Sequence, residues 1–394
     1  MSDVIIEKKI EVYIKLHCEP HILYELQPYF TFEVESAKFM SQYRSRHWDG
    51  KIRLLSSHTG EIYTGLLDKV IDKLKLHNYT YEFKENKFYG LPFEVNENVS
   101  FEGVKDYMSS ICSHSPRQYQ VEGVFDALRH NRKLLISPTA SGKSLMIYSL
   151  VRYYVDKGQK ILLVVPTTSL VEQMYKDFED YGWNVDSYCH RIYSGREKTN
   201  EHPVTITTWQ SVYKLERSFF EDYGVVIGDE AHLFKSKSLI DIMSKLHHAK
   251  YRFGFTGTLD GTQTHKWVLE GLFGPSYKVT RTYELMQQGH ISQLDIRCLV
   301  LKHPPQKFET YEDEIQYLIS QEQRNKFITN LSLDLKGNTL VLFSRVEAHG
   351  AVLYERINNT KRGDRKVFFI HGGVDTEERE LVREITEREN NAII

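Results

Sequence analysis

At 394 residues the chain is too long for one ordinary core, and two or three domains are expected. Hydrophobic residues make up 41% and charged residues 26%, which excludes a disordered chain. A formal net charge of −2 means that any polyanion must be held in a local cleft, not on a basic surface.

The four cysteines (Cys18, Cys112, Cys189, Cys298) form no C-x-x-C pair, which argues against a cysteine zinc site and for a reducing compartment. No apolar run has the length of a signal peptide core or a membrane span, so a cytoplasmic protein is expected.

In chain order, Lys9 to His17 alternates like a strand, and Ile52–Leu55 and Glu61–Tyr63 read as others. Leu66–Leu76 has helical spacing, and Gly90 to Asn98 reads as an exit from a small first domain. From about Ser115 short apolar strands alternate with helical segments: Leu134–Ile136 before Leu145–Val155, and Ile161–Val165 before Leu170–Tyr181. Val204–Ile206, Val225–Ile227 and Phe253–Phe255 continue the series. Such alternation predicts an α/β fold, a parallel sheet with helices on both faces. A second series follows Gly274, with strands predicted at Thr339–Phe343 and Lys366–Ile370. Asn391–Ile394 reads as the opening of one more buried strand, so the second series is expected to be incomplete.

The first strand of the main block runs into Ser137-Pro138-Thr139-Ala140-Ser141-Gly142-Lys143-Ser144, with a helix directly after. This is a phosphate-binding loop for a nucleotide, which the resemblance below implies is ATP. Backbone N–H groups and the helix N-terminus face the phosphates, Lys143 brings charge to the β and γ phosphates, and Ser144 takes a place on Mg²⁺. Downstream, Asp229-Glu230-Ala231-His232 closes an apolar strand. Asp229 is placed to hold Mg²⁺ through water, and Glu230 to position or deprotonate the attacking water. An acidic pair capping a helix is the bland alternative. It loses force because a phosphate loop lies upstream in the same sheet.

These two elements resemble the DEAH-box form of superfamily 2 helicases, whose later motifs are matched in order. Arg117-Gln118-Tyr119-Gln120 resembles the adenine-reading segment, with Gln120 as the reader. Thr168, after Pro166-Thr167, and Thr207-Thr208-Trp209 look like contacts to nucleic-acid phosphates. Thr256-Gly257-Thr258, together with His232, matches the segment that couples hydrolysis to domain movement. Ser344-Arg345 and Gly372 look like later strand contacts. Ala140 stands where many relatives carry glycine and is expected only to tighten the loop. The resemblance implies RecA-like P-loop motor domains at 101–275 and 276–394, the second incomplete, preceded by a small α+β nucleic-acid-binding domain at 1–100. It also implies that the arginines reaching the γ phosphate lie beyond Ile394.

The first domain has its own signal. Phe39 to Arg53 interleaves basic and aromatic residues, so Arg44, Arg46 and Lys51 are candidates for phosphates and Trp48 for stacking. A solvated basic turn, with Trp48 in the local core, is the competing reading. With the Trp48-Asp49-Gly50-Lys51 segment included, the chain resembles the recombination helicases of T-even bacteriophages. That resemblance implies a monomeric motor on branched DNA and RNA–DNA hybrids: Holliday junctions, stalled forks and R-loops. Two rivals stay open, a duplex translocase that separates no strands and a nucleic-acid-binding module whose ATP site no longer turns over.

Overall fold

A turn at Ile10–Glu11 divides the first alternating stretch in two, giving β1 (Val4–Lys8) and β2 (Tyr13–Cys18) as an antiparallel pair. The strand expected over Lys9–His17 is therefore shorter and begins at Tyr13. The reason is Glu11, which leaves the ladder and turns inward to pair with Arg132 at 2.7 Å. Glu11 is only 4% exposed, and a carboxylate so buried requires a cation.

The computed structural model describes residues 2–34, 37–193, 201–233, 236–259, 262–361 and 363–394. After β2 come α1 (Pro20–Leu26), β3 (Thr31–Glu33), α2 (Ser41–Arg44), β4 (Lys51–Arg53), β5 (Glu61–Tyr63), α3 (Leu67–Leu76) and β6 (Tyr81–Lys84). One mixed sheet has the order β5-β2-β1-β6, with β6 parallel to β1, while β3 and β4 form a separate antiparallel ribbon. Helix α3 lies where its spacing predicted, with Leu67, Val70 and Leu74 buried along one stripe.

Helices α4 (Phe101–Ile111) and α5 (Gln118–His130) then lead into β7 (Arg132–Ile136), α6 (Lys143–Asp156), β8 (Lys160–Val165) and α7 (Thr168–Asp180). Next come α8 (Val185–Tyr188), β9 (Cys189–Ile192), β10 (Val204–Thr208), α9 (Trp209–Val212) and β11 (Tyr223–Gly228). The series closes with α10 (Ser236–Lys245), β12 (Tyr251–Thr256), α11 (Gln263–Phe273), β13 (Ser276–Lys278) and α12 (Thr282–Gln287). The seven strands are all parallel, in the order β13-β7-β12-β11-β8-β10-β9. The two edge strands were not anticipated, because each is short and mostly polar. Alternate residues of the central strands feed two cores. Leu134, Leu162, Val164 and Val226 face one side, and Leu135, Leu163, Val225 and Ile227 the other.

The first of these cores is continuous with that of the N-terminal sheet. Phe30 and Phe32 meet Trp267 of α11 at 5.7 and 5.2 Å between ring centroids, and Lys69 pairs with the buried Glu270 at 3.0 Å. Gly65 makes this approach possible: a Cβ there would sit 2.0 Å from the Glu270 carbonyl oxygen. Gly65→Ala is therefore expected to pry the seam open and cost about 1–3 kcal/mol, like other overpacked sites. Chemical denaturation measures this directly, and an unchanged midpoint would refute the tight seam.

The chain divides into two compact units, 1–293 and 294–394. The second contains α13 (Tyr311–Ser320), α14 (Glu322–Asp334), α15 (Val352–Thr360) and α16 (Thr376–Arg388). The strands expected at Thr339–Phe343 and Lys366–Ile370 are reduced to isolated parallel bridges, Thr339 with Ile393 and Val367 with Ile393. Both segments pair with the same short stretch, 392–394, which runs between them through five backbone hydrogen bonds of 2.8–2.9 Å. Ala392 and Ile393 are buried there, as the sequence suggested. Among the described residues no helix is long and apolar enough to cross a membrane.

Candidate functional site

Strands β7, β12 and β11 are neighbours, and their C-terminal ends carry the phosphate loop, Thr256 and Asp229 respectively. The next two strands are β8, which runs into Pro166-Thr167, and β10, which ends at Thr208. Residues scattered over 120 positions of sequence are thus gathered along one edge, where ligands bind in open α/β sheets.

The loop from Ser137 to Gly142 is held from inside. Ser137 N–H donates to Thr256 O at 2.8 Å, and the Ser137 and Ser141 hydroxyls are 2.6 Å apart. Gly142, at φ +78°, turns the chain into α6, whose N-terminus has no side-chain cap. A long helix that opens with uncapped N–H groups fits a phosphate there. Ala140 has φ +62°, in the left-handed region. Its expected effect, tightening of the loop, gives way to strain of roughly 1–2 kcal/mol, which glycine would not suffer.

Lys143 Nζ forms a short ion pair with Glu230 Oε1, bringing the phosphate loop face to face with the acidic strand end. Glu230 sits at φ +47° and its other oxygen lies 3.4 Å from His232 Nδ1. His232 Nδ1 is in turn 2.8 Å from the Thr256 hydroxyl, which donates to Thr258 O at 2.7 Å. A Cβ on Gly257 would stand 3.7 Å from Ser137 O and 3.8 Å from Lys143 Nζ, so this segment lies directly against the loop.

Asp229 is 5% exposed, and burial pushes its carboxyl up to about 6, with Lys143 pulling it down and Glu230 raising it further. This has a thermodynamic consequence in the absence of metal and nucleotide. The folded-state value lies above the ordinary 3.8, so the buried charge destabilises the fold above about pH 6. Below about pH 4 the group is neutral in both states and the penalty is gone. Asp229→Asn should therefore raise the melting temperature by a few degrees at pH 8 in EDTA and leave it unchanged near pH 4. Equal shifts at both pH values would disprove this cause.

Gln120 is placed beneath the loop. Its Oε1 accepts from Arg117 N–H at 2.8 Å and its Nε2 donates to Ser141 O at 2.9 Å, with the side chain almost fully buried. Arg117 Nη1 donates to the Tyr119 hydroxyl, which donates to Ser141 O at 3.0 Å. Beside these residues a hollow of about 510 Å³ is lined by Arg117, Gln118, Tyr119, Glu122 and, from α12 and the residue that follows it, Glu284 and Gln288. Sequence reasoning missed two residues outright. Tyr181 reaches Ser144 Oγ at 2.8 Å, and Asp177 stands close enough to influence both Ser144 and Asp229. Neither belongs to a recognisable motif.

Of the residues expected at nucleic acid, Thr168 is exposed at the start of α7. Thr207 is instead fully buried, its hydroxyl donating to Ile192 O at 2.8 Å. Thr208 is 4% exposed and bonds to Ser211 at 2.9 Å, leaving half-exposed Trp209 and exposed Gln210 as the accessible side chains. In the second unit Ser344 and Arg345 are exposed, Arg345 pairs with Glu312 at 2.6 Å, and Gly372 O accepts from Arg379 at 2.9 Å.

The N-terminal basic segment surrounds an open concavity lined by Lys38, Tyr43, Arg44, Arg46, His47, Trp48 and Asp49, the last paired with Arg53. Arg44 and Arg46 are exposed and have no acidic partner among the described residues, whereas Lys51 meets Glu33 at 3.4 Å. Trp48 is half-buried, with its ring N–H donating to Lys51 O at 2.8 Å, so it belongs wholly neither to solvent nor to a core.

Comparison with known proteins agrees with this geometry. Residues 113–261 match the family described as type III restriction enzyme, res subunit, and residues 3–84 match the N-terminal domain of the DNA helicase UvsW. The ATP-dependent DNA helicase uvsW of Enterobacteria phage T4 is 31% identical over 401 residues, covering 97% of this chain and 78% of that one. A crystal structure of T4 UvsW aligns over 100% of this chain and 79% of its own, with TM-score 0.64 and 28% identity. The DNA 3'-5' translocase XPB2 of Sulfurisphaera tokodaii is 28% identical, over 68% of this chain and 57% of that one.

Proposed function

The chain belongs to the UvsW family of superfamily 2 helicases, ATP-dependent DNA helicases, and on that premise we propose that it works on branched DNA. The substrates in view are Holliday junctions, stalled forks and RNA–DNA hybrids. In this reading 1–100 binds nucleic acid, 101–275 binds ATP, and 276–394 belongs to the second motor domain. The motor acts as a monomer in the cytoplasm of the host.

The Lys143–Glu230 ion pair is the observation that carries the reading. It supports a resting site in which each residue occupies the other. When ATP enters, Lys143 exchanges the carboxylate for the β and γ phosphates. Glu230 is thereby released to take the proton of the attacking water. Ser144 and Asp229 would hold Mg²⁺. Their fit rests on the N–H groups at the head of α6, which no side chain caps, and on the hydroxyl and carboxylate chemistry of the pair, and the ion would neutralise charge on the phosphates. The chain His232–Thr256–Thr258 is suited to pass the state of Glu230 to the segment preceding α11. Gln120, engaged with Ser141, would have to exchange that bond to read an adenine. Thr168, Trp209, Ser344 and Arg345 are accessible for phosphate contact, and the buried Thr207 and Thr208 would shape the strand end from within.

ATP turnover measured with forked DNA, single strands, duplex and RNA added in turn tests this reading. Strongest stimulation by forks, with strand separation, is expected. Stimulation by plain duplex without separation would favour the translocase, and nucleotide binding without turnover the binding module.

A further inference from the structure

The Tyr181 hydroxyl at the end of α7 lies 2.8 Å from Ser144 Oγ, and nothing in the reading above makes use of it. A serine can turn a lone pair toward a dication only if its own proton points elsewhere, to an acceptor. The Tyr181 oxygen is an acceptor in the right place, and it is held there. Its ring packs against Tyr148 at 5.1 Å and His114 at 6.1 Å between centroids.

We propose that Tyr181 is a positioning residue of the nucleotide site, whose hydroxyl takes the Ser144 proton in a hydrogen bond and so aims the serine oxygen at Mg²⁺. The proposal rests on the assignment of Ser144 to the metal. The opposing possibility is that the ring matters only for packing. In that case the hydroxyl is dispensable.

The two are separated by calorimetric titration of ATP, with Mg²⁺ and with EDTA, into wild type, Tyr181→Phe, Ser144→Ala and the double variant. Phenylalanine keeps the ring contacts, so melting temperature and affinity in EDTA should stay the same. Mg²⁺ should tighten ATP binding in wild type, and Tyr181→Phe should lose about two- to tenfold of that gain, the worth of one hydrogen bond. In the Ser144→Ala background the tyrosine change should have no further effect, because the group it orients is gone. An unchanged Mg²⁺ gain in Tyr181→Phe, or full additivity in the double variant, would overturn the proposal. No Mg²⁺ gain in wild type would instead overturn the assignment of Ser144 and Asp229 to the metal, so the two failures are distinct.

Discussion

Glu230→Gln is expected to bind ATP at least as tightly as wild type while turning it over about 10²–10⁴-fold more slowly. The amide keeps the shape of the carboxylate but loses the oxygen that accepts a proton. It also removes the anion that now engages Lys143, so the lysine is free for the phosphates from the outset. Lys143→Ala should behave differently. It takes away the charge aimed at the β and γ phosphates and leaves Glu230, already at φ +47°, without its counter-ion. Both binding and turnover should fall. Fluorescent-nucleotide titration paired with phosphate release, at saturating forked DNA, reads the two quantities separately. Equal loss of ATP affinity in both variants would show that the lysine and glutamate do not have separate tasks.

Much of this site was legible in sequence because its chemistry is carried by backbone geometry. A phosphate loop needs a strand before it and a helix after it, and both β7 and α6 could be read from apolar spacing. Asp229 and Glu230 were legible for the same reason, being carboxylates at the end of a continuous apolar strand. The contacts that cross the chain were not. Tyr181 touches Ser144 from 37 residues away, across a helix packing that no local pattern encodes. Gln120 was recognised as a motif residue, yet its burial under Ser141 depends on how α5 docks against the loop. Thr207 illustrates the opposite error: a hydroxyl at a strand end suggests a ligand contact, but the neighbouring edge strand β9 covers it. The predicted turn residues at Gly90–Asn98 gave no hint that Glu94 would pair with Lys250 of the motor. The seam around Gly65 was equally invisible, since a glycine in sequence does not announce a backbone carbonyl against its Cα.

Replacing Arg44, Arg46 and Lys51 together with alanine should weaken binding to forked DNA and flatten its dependence on salt. Each phosphate contact releases bound counter-ions, so its loss lowers the slope of log affinity against log salt by about one unit. The structure grades the three. Arg44 and Arg46 stand exposed on the rim of the concavity with no acidic partner described, and each should contribute close to a full unit. Lys51 is shared with Glu33 at 3.4 Å and should contribute less. A total of about two to three units follows, which over a fourfold change in salt amounts to a difference of roughly 30-fold in affinity. Trp48 is already fixed through its ring N–H, so the substitutions leave its stacking surface in place. ATP turnover at saturating DNA should barely change, because none of the three residues belongs to the nucleotide site. Fluorescence anisotropy across a salt series gives the slope, and circular dichroism verifies the fold. A slope identical to wild type in a folded variant would mean that this segment is a solvated turn, and that the motor domains alone hold the DNA.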